Sequence, residues 1–390
     1  MRVAFIGNLP ASGVLPPEAL AEGAGQGGHP APWIVALLPE LARITGYQLR
    51  VILTQRVIRR HALTTVNGVE YEGIPGFPER LNRKGLYYPK SLLTNPALTR
   101  FKPDLVHAFG FETGNALIAL RSGFPVSAFI QGIAELLEPY YGQRDWIDRK
   151  VGVWGERKAV PHIRWMVGEN EFAKEWAISK NAQAQVKVIP HPTREDFFEK
   201  AAPIYGRSLL TVGGLDDRKG MDTIIRAFAQ AQVPDCRLVV TGGGPLKGVL
   251  QQLANDLGMG GQVEFTGSLG TAEVIARMNA ARAFVIGSRM DTSPNVVSEA
   301  HAIGLPVIGT RVGGIPEMIE EGVDGYLVAR DDEHAMAERM SLLLKDEPLA
   351  RSLGQAGRAK VRALNDANSV AEAHAEFFSR IGRELGVAGA

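Results

Sequence analysis

Two acids, Asp291 and Glu299, flank a Ser-Pro-Asn turn in the stretch MDTSPNVVSEAHAIGLPVIG. The turn predicts a helix start, with Ser293 as its cap and Pro294 at the first helical position. Gly304 predicts the helix stop, and 306–308 the next strand. A helix N-terminus offers unpaired N–H groups and partial positive charge, which suit a phosphate. Carboxylates suit sugar hydroxyls instead. A ligand with both characters is a nucleotide-sugar.

Charge of the opposite sign stands upstream, in TVGGLDDRKGMDTII. A strand ends at Gly213-Gly214, a polar loop follows, and a helix begins near Met221. Arg218 and Lys219 therefore fall at a strand's carboxyl end, where two cations would neutralise a diphosphate and the charge that builds as it leaves. The plainer alternative is a solvated loop. Gly242-Gly243-Gly244 follows the next strand and lets a backbone approach a ligand, or simply makes a tight turn. It is not a dinucleotide fingerprint, because Lys247 stands where the last glycine would be, and it lacks P-loop spacing. Ser268 and Leu269 end a further strand, beside a base edge if a nucleotide binds. Gly313-Gly314 leads into another helix. Singly these are turns; together they put Gly-rich or polar loops on one rim.

The elements that hold these loops alternate strand and helix. The first half predicts strands at 3–6, 48–54, 105–108, 126–130, 165–167 and 186–189, with a helix over 33–44. The pattern restarts with strands at 208–212, 237–241, 263–266, 283–286, 306–308 and 326–328. Such alternation argues for parallel sheets covered by helices, so the fold class is α/β with two Rossmann-like doubly wound domains. Residues 1–195 form the first domain, 196–206 a Pro-rich linker and 207–367 the second. Residues 368–390 form a C-terminal helix that returns to the first domain. Two such domains would face each other across a cleft.

Composition fits this. A chain of 390 residues with 45% apolar side chains suits two soluble domains. Net charge is +1, so nucleic acid is not an expected partner. Residues 1–195 carry 23 basic and 17 acidic side chains, the remainder 20 and 25. The basic half would support peripheral contact with an anionic inner membrane face, or it is surface variation. Cys236 is the lone cysteine, which excludes an internal disulfide and a cysteine-based zinc cluster. MRVAFIG is too short for a secretory signal, and no apolar run is long enough to span a bilayer, so the expected location is cytoplasmic.

The strand–GGLDDRKG–helix, the GGGP turn, the acid-x7-acid spacing and GLPVIGTRVGGIPE together resemble the donor domain of glycosyltransferase family 4. This retaining family has the GT-B fold. The likeness covers most of 207–345, and continues more weakly through KPDLVHAFG, FPVSAFIQGI and VKVIPHP. It implies that Lys219 grips the donor diphosphate, Glu299 holds the nucleotide ribose and Asp291 lies beside the donor sugar. The backbone of Ser293, Pro294, Asn295 and Val296 matches the segment that lines the sugar and phosphates, and Gly213, Gly214, Gly243, Ser268 and Leu269 fall on the donor rim.

The chain departs from the family at three places. Gly214 stands where Arg is usual, with Arg218 able to replace its charge. Asp291 stands where Glu is commoner. Gln131 stands where many members have a histidine. The retaining mechanism implied by the resemblance has the leaving diphosphate take the acceptor's proton, so it tolerates Gln131. No Asp-x-Asp motif lies near the site, and neither a metal nor a cofactor is expected.

On the acceptor side the resemblance points to the Gly-rich loop with Gly27 and Gly28 and to Gln131, while His107, at a strand end, would either line the cleft or be a packed residue. The acceptor would be a glycan, a lipid-linked saccharide or a small alcohol. The basic, aromatic stretch 80–102 would grip an anionic or lipid-linked one, though Pro89 and Pro96 break its helical pattern. The alternatives are a nucleotide-sugar epimerase, which needs acid–base groups where Gln131 stands, and a non-catalytic nucleotide-sugar binder. The missing fingerprint disfavours a nicotinamide dehydrogenase.

Overall fold

Short apolar runs become strands and their amphipathic partners become the covering helices. In the computed structural model, which describes residues 1–21, 32–140 and 146–387, the first sheet has eight strands. They are β1 (Arg2–Ile6), β2 (Gln48–Gln55), β3 (Ala62–Val66), β4 (Val69–Pro75), β5 (Leu105–Phe109), β6 (Val126–Ile130), β7 (Trp165–Gly168) and β8 (Gln185–Val188). The order is β3-β4-β2-β1-β5-β6-β7-β8. All pairs are parallel except β3 with β4.

The second sheet has six parallel strands: β9 (Ser208–Val212), β10 (Arg237–Thr241), β11 (Val263–Gly267), β12 (Ala283–Ile286), β13 (Val307–Thr310) and β14 (Gly325–Val328). Their order is β11-β10-β9-β12-β13-β14. The chain thus divides into two units, Met1–Pro192 with Ala367–Ala390, and Thr193–Asp366.

Each sheet is buried on both faces, as a parallel sheet must be. Along β9, Leu209 and Leu210 point to opposite sides and enter different cores. Leu209 packs with Ile224, Val240 and Met336. Leu210 packs with Phe284, Ile303 and Leu327. In the first unit Phe5, Leu37, Phe109 and Phe129 fill one face, and Val106, Ile118 and Met166 the other. The helix Ala367–Glu384 places Val370, Phe377, Phe378 and Ile381 in the first of these cores.

Two sequence expectations need correction here. Residues 196–206 are not a free linker. They lie inside the second unit, with a helix over Glu195–Glu199 whose Phe197 and Phe198 are buried in its core. A hairpin, β3–β4, was also missing. Its turn is Asn67-Gly68, both with positive φ, the pair that two-residue hairpins favour.

Both sheets have a topological switch point. The chain leaves β9 toward β10 and β11, then returns to β12 on the other side. In the first sheet the same happens between β1 and β5. Ligands of such sheets bind outside the carboxyl ends of the strands at these points.

Candidate functional site

The switch point of the second unit lies between the loops after β9 and β12. Asp216 starts the first loop's turn by accepting the N–H of Lys219 at 3.2 Å. Gly220 ends the turn in the left-handed region (φ +57°), and a Cβ there would strike the carbonyl of Gly287 on the other loop. Only glycine allows that approach. It brings the Lys219 Nζ within 2.6 Å of the Asp291 Oδ2. Arg218 reaches the same oxygen at 3.2 Å and donates to the Met290 carbonyl at 3.3 Å. Ser288 adds a hydroxyl at 3.3 Å.

Asp291 is buried. Burial alone would raise its pKa, but the charges of Lys219 and Arg218 outweigh that and hold it below the usual carboxylate value. Its backbone is fixed as well. Gly313 (φ +54°) packs where a Cβ would strike the Asp291 carbonyl, and Gly314 donates to that carbonyl at 3.2 Å. The Gly313-Gly314 turn therefore braces the acid. Arg289, next to the site, binds Asp222 at 2.8 Å, Asp331 at 2.8 Å and Asp217 at 3.0 Å. These bonds and charges raise its pKa and tie the loop after β12 to the turn after β9.

The helix after this loop spans Asn295–Ile303 and stops at Gly304 in the left-handed region (φ +94°). Its start differs by one position from the sequence expectation. Pro294 occupies the cap position and makes no side-chain cap. Ser293 instead turns its hydroxyl toward the sulfur of Met318 at 3.8 Å. Glu299 lies one turn on from Asn295, on the same helical face. It is half-buried and has no hydrogen bond or ion pair among the described residues. Burial pushes its carboxyl up to about 7, with Arg194 opposing and Asp196 adding.

The remaining donor-side candidates follow successive strands. Gly213 and Gly214 follow β9, and Gly213 lies against the aliphatic stem of Lys219. A Cβ on Gly214 would come within 2.9 Å of the Asp216 carboxylate, so the usual Arg would meet a tight space there. Gly243 follows β10, close to the hydroxyl of Ser268 after β11. Leu269 is half-buried beside it, and Val296 packs against the Leu210 core.

In the first unit, Gln131 follows β6 and is half-buried. Gly27 and Gly28 lie outside the described residues. His107 is not a ligand-facing group. It sits within β5, fully buried against Phe5, Phe109 and Phe378, with its Nδ1 2.8 Å from the Ser127 hydroxyl. Burial, helped by His374, pushes its pKa well down. The alternation of β5 turns residue 107 into the same core as Leu105 and Phe109.

The sequence reading missed several groups at this rim. Glu112 follows β5. Glu169 follows β7 and pairs with His191 after β8 at 2.9 Å. Lys90 is buried, with its ammonium between Asn8 at 3.3 Å and Asn115 at 3.4 Å. For Glu112 and Glu169 the sequence signal was their place after strands; Lys90 lies within the helix Tyr88–Phe101.

Residues 192–360 match the family described as glycosyl transferases group 1. Relatives include the GDP-mannose-dependent alpha-(1-6)-phosphatidylinositol monomannoside mannosyltransferase of Mycolicibacterium smegmatis, 37% identical over 36% of this chain and 39% of that one. Another is the N-acetyl-alpha-D-glucosaminyl L-malate synthase of Bacillus anthracis, 34% identical over 39% and 40%. The matched region is thus about two fifths of each relative's length.

Among solved structures, sucrose-phosphate synthase from Thermosynechococcus elongatus superposes with a TM-score of 0.78 at 18% identity, covering 98% of this chain and 100% of that one. Anabaena Alr3699/HepE in complex with UDP-glucose gives 0.71 at 16%, covering 97% and 100%. At such identity the likeness shows the fold alone. That fold is the GT-B class, two Rossmann-like units in one chain. The match of segment 192–360 to glycosyl transferases group 1 agrees with the family-4 resemblance.

Proposed function

We propose that this protein is a retaining, metal-independent hexosyltransferase. It moves a sugar from a nucleotide-diphosphate-sugar to a glycan, a lipid-linked saccharide or a small alcohol. The observation that carries this reading is the meeting of Lys219, Arg218 and Asp291 at the switch point of the second unit. Two cations sharing one carboxylate leave net positive charge for a diphosphate. Glu299, whose carboxylate has no hydrogen bond or ion pair among the described residues, would accept the ribose hydroxyls. Related proteins bear names with GDP-mannose donors, and a structural neighbour holds UDP-glucose.

In this mechanism the acceptor hydroxyl bonds to the anomeric carbon on the face that the diphosphate leaves. The leaving oxygen takes the hydroxyl's proton, and Lys219 and Arg218 offset the charge on the diphosphate. Fixed cations supply what a divalent ion would otherwise provide, so a chelator should not reduce turnover. We place the protein at the cytoplasmic side, with the first unit in peripheral contact with an anionic membrane.

The test is a panel of UDP-, GDP- and ADP-sugars, with and without saccharide and alcohol acceptors and with EDTA. Acceptor-stimulated release of nucleoside diphosphate, with the α configuration kept in EDTA, is expected. Nucleotide binding without turnover on any acceptor would overturn the transferase reading, and turnover abolished by EDTA would overturn its metal independence.

A further inference from the structure

A buried acid and a half-buried one in the first unit make an instructive contrast. Glu156 accepts the backbone N–H groups of Ala134 at 2.6 Å and Glu135 at 3.1 Å, so its carboxyl has a structural use. Glu112 is held only locally, by its own N–H and that of Phe111. It lies two residues past Gly110, and its side chain folds back over the strand ends. A Cβ on Gly110 would come within 2.8 Å of both its carboxylate oxygens, and one on Gly132, after β6, within 3.5 Å of its carboxyl carbon. Its Oε2 is sealed from solvent with no hydrogen-bond partner.

No Lys or Arg pairs with Glu112 among the described residues. The charged groups that face it are acids: Glu169 from the loop after β7, and Glu156 from the helix Trp146–Ala159. His191 closes on Glu169 instead. Burial pushes the Glu112 carboxyl up to about 7; its own N–H and that of Phe111 oppose this, and Glu169 adds to it. A sealed carboxyl oxygen without donor or counter-charge is costly, and a ligand hydroxyl is one group that would complete it.

We propose that Glu112 is an acceptor-binding residue, whose carboxyl hydrogen-bonds a hydroxyl of a neutral polyhydroxy acceptor at the ends of β5 and β6. The proposal rests on the transferase reading. A hydroxyl suits a carboxyl near neutral pH, because it donates to the ionised form and accepts from the protonated one. Gln131, one residue before Gly132, also carries both a donor and an acceptor. A phosphate or carboxylate at this place would meet Glu112 and Glu169 and be repelled. Glu112 therefore selects the part of the acceptor that is neutral.

The experiment uses the full chain saturated with UDP or, in parallel, GDP. Binding of glycerol, myo-inositol and mannose is followed by saturation-transfer NMR. At least one should bind the parent protein, and Glu112→Ala should weaken it by about tenfold, the loss of a hydrogen bond to a charged group. Nucleotide affinity and the thermal midpoint should stay unchanged. If Glu112→Ala lowers the midpoint, the isosteric Glu112→Gln takes its place, with weaker binding again expected. Binding of none of the three polyols, or equal binding by parent and variant, would overturn the proposal. Nucleotide affinity reports separately on the donor site, so failure there and failure at Glu112 are distinguishable.

Discussion

Lys219 and Glu299 divide the donor's needs between charge and hydrogen bonding, and the division is measurable. Lys219 acts on charge that grows as the diphosphate leaves. Its replacement by Ala should lower kcat by about 10²–10³, as for the loss of one preorganised electrostatic partner. The donor KM should move less. Glu299 accepts a pair of ribose hydroxyls best when ionised, with both oxygens free to accept, and its carboxyl is pushed up to about 7. Below that pH the protonated form takes over, so donor KM should rise by up to about tenfold per pH unit and level off above it. Glu299→Gln should bind donor more weakly at every pH and lose this dependence. Kinetics across pH 5.5 to 8.5 check both. A donor KM with the same pH profile in parent and Glu299→Gln would remove Glu299 from the nucleotide site.

Among the elements, the helices Glu79–Lys84 and Tyr88–Phe101 stand out for what they leave uncovered. Phe77, Leu81, Leu86, Tyr88 and Leu92 are 40–62% exposed. Arg121 stacks over the Tyr88 ring and donates to the Leu86 carbonyl, which joins the patch to a cation. Arg80, Lys84 and Arg121 have no carboxylate partner among the described residues. An anionic membrane face would satisfy both halves of this surface, at about 1 kcal/mol per cation. The double variant Leu86→Glu/Leu92→Glu should lose binding to phosphatidylglycerol vesicles without losing its fold. Phosphatidylcholine vesicles should bind neither protein. Equal binding of parent and variant to the anionic vesicles would disprove the membrane face.

The sequence hid part of this surface because Pro89 and Pro96 argued against a helix. Yet Pro89 is tolerated in the first turn, and Pro96 lies on the exposed side, where water replaces a lost bond. The second sheet was nearly complete in the pattern, because its strands are short, mostly apolar runs, each closed by a glycine or a polar turn. Pairing of Lys219 with Asp291, 72 positions away, follows from strand order, which periodicity does not encode. Glu112 was invisible for a related reason: a single acid in a loop has meaning only once its neighbours prove to be acids too.

Across the whole molecule, buried carboxyls and buried histidines oppose each other in their effect on stability. In the first unit Glu112 and Glu156 are pushed up to about 7 and about 8, while His374 is pushed down to about 4 and His107 well down, burial being the largest cause in each. In the second unit Glu299 rises to about 7 and His301 falls to about 4 by the same cause. The raised carboxyls hold protons that the unfolded chain has released, so stability falls as pH rises through 7 to 8. The depressed histidines refuse protons that the unfolded chain takes up below about 6.5. Between about 4.5 and 6.5, on ordinary unfolded-state values, the folded chain keeps protons on its carboxyls and the unfolded chain on its histidines. The two nearly cancel. Below that window the unfolded carboxyls protonate as well, and stability drops. The thermal midpoint should therefore be level from about pH 5 to 6.5 and decline toward pH 8.5, with a steep loss below about pH 4.5. Glu156→Gln keeps the backbone contact at Ala134 or Glu135 through its amide oxygen and removes the highest of these carboxyl pKa values, so it should shallow the alkaline decline. A midpoint that climbs steadily to pH 8 in the parent would mean that these carboxyls are ionised in the folded protein, through solvent or counter-charge reaching them.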